Sequence, residues 1–111
     1  MNPTVNLLTK ARAAIERGWC QGCFARDAQG QPIESTDPLA ETFCIRGATR
    51  AVAPIDDDVR VRAHRHLEDV IIALTDGDCD SLARYNDVPG RTQAEILAVF
   101  DAAIKLADPT S

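Results

Sequence analysis

Residues 17–27 read RGWCQGCFARD and place Trp19, Cys20 and Cys23 in the order Trp-Cys-x-x-Cys. Two thiols at that spacing can cycle between dithiol and disulfide, or can supply half of a tetrahedral zinc site. Redox catalysis needs the first cysteine at a helix N-terminus, where the dipole favours thiolate, in a βαβ frame. Cys20 instead follows Gly18 at the end of a helical pattern, and no βαβ order surrounds it. Unpaired thiols in a packed turn are the simpler expectation. For zinc, Cys44, Cys79, His64 and His66 are the remaining candidate ligands. There is no second Cys-x-x-Cys and no histidine pair at i, i+4. His64 and His66 flank a helical stripe on opposite sides and cannot both reach one ion. Cys44 falls on an apolar face, where a buried thiol needs no ligand role. The sequence therefore predicts no metal and no cofactor, with Cys20 and Cys23 reduced.

Two further constellations fail on their own terms. In DGDCDSLARYND, Asp76, Asp78, Asp80 and Asp87 match positions one, three, five and twelve of a calcium loop. Ser81 stands where the sharp-turn glycine belongs, and the bidentate glutamate is a shorter aspartate. An acidic connection between helices, with Asp80 or Ser81 capping a short turn, is the expectation. Cys44, a histidine and Asn86 supply the residue types of a Cys-His-Asn hydrolase, but no local signature accompanies them. Asn86 and Asp87 read as turn formers ahead of Pro89.

The elements that must position these residues are helical. Asn2-Pro3 opens helix one, with Leu7, Leu8, Ala11, Ala14 and Ile15 on one face. Gly18 is expected to close it in a left-handed conformation, with Trp19 folding back on the last turn against Ala14 or Ile15. From Cys23 to Ile33 the helical period is lost, and an Asp-x-x-Gly turn at Asp27–Gly30 points to a short hairpin or loop. Asp37-Pro38 reads as the start of helix two, whose face carries Leu39, Ala40, Phe43, Cys44, Gly47, Ala48 and Ala51. Gly47 within it implies close approach of another helix. Helix three follows Asp56–Asp58, with Val59, Ala63, Leu67, Val70, Ile71 and Leu74 in its stripe. After a possible helical turn in SLARY, Val88-Pro89-Gly90 forms a tight turn. Thr92 and Glu95 make a capping box for the last helix, which carries Ile96, Leu97, Phe100, Ala103, Ile104 and Ala107. The fold class is thus mainly α: four principal helices in one domain over residues 1–111, with flexible ends at 1–2 and 108–111.

Composition narrows the setting. The 111 residues are 45% hydrophobic and 26% charged, ordinary values for a folded domain. Net charge is −5, and the basic residues are scattered singly, which argues against a nucleic-acid or anionic-membrane surface. No apolar run approaches the ~20 residues of a membrane span, and the N-terminus lacks a signal-peptide pattern. A cytoplasmic protein with free thiols is expected.

Taken together, RGWCQGCFARDAQGQPI, then DP and FCIRGAT, then YNDVPGRTQAEILAVFDAAI resemble a family of bacterial and phage proteins. That family is catalogued as a domain of unknown function, number 6197, and the likeness runs from Leu7 to about Ile104. Gly18, Trp19, Cys20, Gln21, Gly22, Arg26, Asp27, Cys44, Gly47, Ala48, Asn86, Asp87 and Thr92 carry it. Cys23 lies outside the pattern. The resemblance implies no activity.

With no converging acid, base and nucleophile, the expected function is a non-catalytic interaction or accessory module. A small protein with a structural zinc at Cys20 and Cys23 is the alternative. The last helix is apolar over about half its circumference, wider than a typical ~100° stripe. Val99 and Leu106 widen it, which points to a homodimer in which a second copy covers both.

Overall fold

The computed structural model describes residues 2–54 and 57–109. Helix α1 spans Pro3–Arg17. Three two-residue strands follow: β1 (Ala25–Arg26), β2 (Pro32–Ile33) and β3 (Thr42–Phe43). Four helices complete the chain: α2 (Ile45–Val52), α3 (Asp58–Leu74), α4 (Leu82–Asn86) and α5 (Gln93–Ala107). The fold is mainly α, with a small antiparallel sheet of order β2-β1-β3 after the first helix.

Helices α1, α3 and α5 pack against one another, and α1 also meets α2 and β3. The α1–α5 seam runs antiparallel and is tied at both ends. Asn2 Nδ2 donates to Ala107 O at 2.9 Å, and Gln93 Nε2 donates to Ile15 O at 2.7 Å. Asn2 also caps α1, its Oδ1 accepting from the Thr4 and Val5 amides, so this end is anchored rather than loose. Of the ends expected to be flexible, Met1, Thr110 and Ser111 lie outside the described residues. Leu8, Ile15, Leu67, Ile71, Ile96, Val99 and Phe100 fill the core, each with 2% exposure or less.

The capping box of α5 is present in full, and Gly90 at φ +85° supports the Val88–Arg91 turn. Asp57 caps α3 through the amides of Val59 and Arg60, while Asp56 lies outside the described residues. Leu74 leaves the α3 stripe and is exposed.

Helix two starts later than its sequence signals suggest. Asp37 does accept from a backbone amide, that of Leu39 at 2.8 Å, but it closes a tight turn rather than opening a helix. The chain then runs extended, because β1 has an open edge: Glu41 N donates to Arg26 O at 2.8 Å, and Thr42 and Phe43 continue the pairing. Threonine and phenylalanine suit such a strand. Cys44 becomes the cap of α2, its sulfur accepting from Gly47 N at 3.3 Å.

Gly18 and Gly47 are both needed for close approach, in ways the periodicity did not indicate. Gly18 is extended at φ −177°, not left-handed, so the fold-back termination does not form. A Cβ there would lie 2.6 Å from Glu41 O and 2.9 Å from Thr42 Cγ2. At Gly47 a Cβ would lie 1.8 Å from Phe24 O, so what comes close is the loop backbone after α1, not another helix.

Candidate functional site

Gly18 to Cys20 leave α1 alongside β3. Phe43 N donates to Gly18 O, and Cys20 N donates to Phe43 O at 3.1 Å, giving a parallel bridge at Trp19. Trp19 packs against the core cluster and reaches α4 as well. Its indole Nε1 donates to Asn86 Oδ1 at 2.9 Å.

Asn86, wholly buried at the end of α4, is the hub of the region. Its Oδ1 also accepts from Ile45 N at 3.2 Å. Its Nδ2 donates to Cys20 O at 3.1 Å and to Asp87 Oδ1 at 2.9 Å. Every lone pair and proton of the amide thus has a partner. Around it, Gln21 Nε2 donates to Asn86 O and Val88 O, and Gly22 N donates to Asp87 Oδ1 at 3.0 Å. Gly22 sits at φ +86°, a conformation glycine adopts without strain. Arg26 holds the loop from the sheet side, donating to Gln21 O and Gly30 O. Asn86 and Asp87 are thus cross-chain clamps rather than local turn formers. Asparagine beside a proline turn conceals this in the sequence, because its partners Trp19, Cys20 and Ile45 lie more than forty residues away.

Beside this lock opens a cleft of about 230 Å³, lined by Gly22, Cys23, Phe24, Cys44, Arg46, Ala83 and Asp87. Phe24 forms its apolar wall. The guanidinium carbons of Arg46 and Arg50 lie 5.3 and 4.8 Å from the Phe24 ring centroid, within cation–π range. Phe24, Arg46 and Ala83 were not singled out in the sequence. The i, i+4 spacing of the two arginines is the one signal that places them on a shared face.

Two of the thiols here, Cys20 and Cys44, are held protonated. Burial pushes Cys20 up to about 11, and burial likewise raises Cys44, with the Gly47 and Arg46 amides partly opposing it. Cys44 faces Gly47 N, whereas His64 Nε2 lies 2.7 Å from the hydroxyl of buried Thr49. That hydroxyl donates to Arg46 O, and the fold does not assemble Cys44, His64 and Asn86 as a catalytic set. Cys79 is buried elsewhere, its thiol directed to Ser81 O. Among the described residues, no group of three or more His, Cys, Asp or Glu side chains could hold a metal ion. The acidic segment is a helix-ending turn: Asp76 at φ +52°, Gly77 donating to Ile72 O, and Ser81 capping α4.

Val99, expected to face a second copy, is wholly buried in the core, while Leu106 is 56% exposed. Packing on both α1 and α3 gives α5 a broad buried face. No described helix is long and apolar enough to cross a membrane.

These features define a small helical domain whose post-α1 loop is clamped to α4 by a buried amide. The chain belongs to a family of unknown function, DUF6197, whose model matches residues 1–106. No curated protein and no solved structure matches it. Several residues that carry the family resemblance, namely Trp19, Cys20, Gln21, Gly22, Asn86 and Asp87, are members of the lock itself.

Proposed function

We propose that the protein is a non-catalytic interaction module whose recognition surface is the cleft beside the Asn86 lock. The observation that carries this reading is the way the polar groups are used. The residues best able to do chemistry are hydrogen-bonded to one another, and the cleft they hold in place presents an apolar wall with charge at its rim. Asp87 makes both of its bonds through Oδ1, and Arg46 brings a cation to the same opening. At about 230 Å³ the cleft is smaller than the ~300–1,000 Å³ of drug-sized ligand sites. It fits an apolar side chain of a partner segment, with neighbouring charges meeting Arg46 and Asp87.

Selection of short peptides from a random display library against the purified protein tests this. Selected peptides should lose binding when Ala83→Trp fills the cleft, weaken with Arg46→Glu, and be indifferent to Leu106→Glu. Peptides that bind Ala83→Trp as well as the parent would place recognition elsewhere.

A further inference from the structure

We infer that Cys20 and Cys23 are a thiol–disulfide site, oxidised by a low-molecular-weight organic disulfide that enters at Cys23 and is displaced by Cys20. The inference stands whether or not the neighbouring cleft binds a peptide.

Three observations carry it. First, the two thiols are neighbours. The positive-φ turn at Gly22 brings the Cys20 thiol over the backbone of Cys23, its Sγ donating to Cys23 O at 3.9 Å. Second, exposure is unequal. Cys20 is buried at the edge of a hollow it shares with Trp19 and Arg26, whereas Cys23 is partly exposed and borders two others, one shared with Cys44 and Asp87 and the other with Pro32 and Glu34. The more exposed Cys23 is therefore the thiol that a small disulfide meets first. Third, neither sulfur caps a helix. Cys23 Sγ rests on Ala25 O at 3.3 Å, and the Cys20 contact is long. Cys44, the other thiol of the cleft, caps α2 through Gly47 N and would uncap that helix on bridging.

The chemistry balances in two exchanges. The Cys23 thiol gives its proton to solvent, and the thiolate attacks one sulfur of the small disulfide. A bond forms to Cys23, the original sulfur–sulfur bond breaks, and one small thiol departs. The Cys20 sulfur then attacks the Cys23 sulfur, and its proton goes to the second departing thiol. The protein loses two electrons and two protons, and the disulfide becomes two thiols. Closure takes the Cys23 sulfur off Ala25 O and out of the cleft wall.

The test is to expose the native protein to oxidised glutathione, block free thiols without reduction, and map the products by mass spectrometry. The parent should lose two hydrogens and yield a Cys20–Cys23 bridge, with no lasting glutathione adduct. Cys20→Ser should stop at a mixed disulfide on Cys23, Cys23→Ser should form neither product, and Cys44→Ser should still bridge. Fluorescence of Trp19, the single tryptophan, should change on bridging and return with a reductant. A parent protein that does not react, that keeps a stable adduct on Cys23, or that bridges Cys23 to Cys44 would overturn the inference. Each of those three outcomes is read on the unmodified chain and does not depend on how the variants fold.

Discussion

Asn86 fixes the arrangement with one side chain, and its removal should show this. Asn86→Ala strips partners from the Trp19 indole, the Ile45 amide and the Cys20 carbonyl at once. Each buried polar group left unpaired costs about 1–3 kcal/mol, so a loss of about 3 kcal/mol or more is expected in urea denaturation. Trp19→Phe removes the indole N–H and also shrinks the ring, so its cost combines a lost hydrogen bond of about 1 kcal/mol with lost packing against the core. Combined with Asn86→Ala it should add only the packing part, because the bond is already gone. Simple additivity in that cycle would mean that the Trp19–Asn86 bond contributes no coupling. Cys20 makes a second case, in pH. Its folded thiol stays protonated to about 11, whereas the unfolded chain ionises near the ordinary value of about 8.5. The folded state then binds more protons in that window, so stability should fall as pH rises from about 8.5 to about 11. Cys44 is raised too and acts in the same direction. Cys20→Ala should flatten the decline, and an unchanged slope in its urea midpoints against pH would show that burial of Cys20 is not responsible.

Elements show how far local sequence reaches. Helices α1, α3 and α5 were legible because caps and a 3.6-residue period agreed along their length, as did the Asp27–Gly30 turn and the capping box of Thr92 and Glu95. The start of α2 was not. Asp37-Pro38 carries a genuine helix-start signal, and Ala40, Phe43, Cys44 and Gly47 continue the period. The decisive fact was a tertiary one, the open edge of β1 that recruits Thr42 and Phe43. The candidate site was half visible for the same reason: Gly18, Trp19, Gln21, Gly22, Asn86 and Asp87 stood out as types, but their partners are distant in the chain. Gly47 shows what that placement demands. Because the atom facing it is the Phe24 carbonyl oxygen, which also accepts from Cys44 N at 3.1 Å, no rotamer change can make room. Gly47→Ala should cost at least the ~3 kcal/mol upper end of ordinary overpacking, seen as a lower unfolding midpoint. A midpoint near that of the parent would mean the loop yields there.

At the scale of the whole molecule, the position of α5 decides what its broad apolar face means. A helix covered on one side needs only a narrow stripe, and the excess at Val99 and Leu106 invited a second copy. With both α1 and α3 packed on α5, Val99 has no exposed surface left to offer, whereas Leu106 at 56% exposure has no equivalent burial to lose. The two residues should therefore behave oppositely. Val99→Glu puts a carboxylate among Ile96, Phe100 and the facing helices with no partner, and an isolated buried charge either neutralises or unfolds its surroundings. The expected outcome is loss of the cooperative helical transition by circular dichroism, at neutral pH more than at acidic pH, where the carboxyl can be protonated. Leu106→Glu should keep both the spectrum and the midpoint, within about 0.5 kcal/mol of the parent. Light scattering on the same samples separates fold from assembly. If Val99→Glu kept a native spectrum and merely changed mass, Val99 would face a partner after all, and the α5 face would not be filled by α1 and α3 alone.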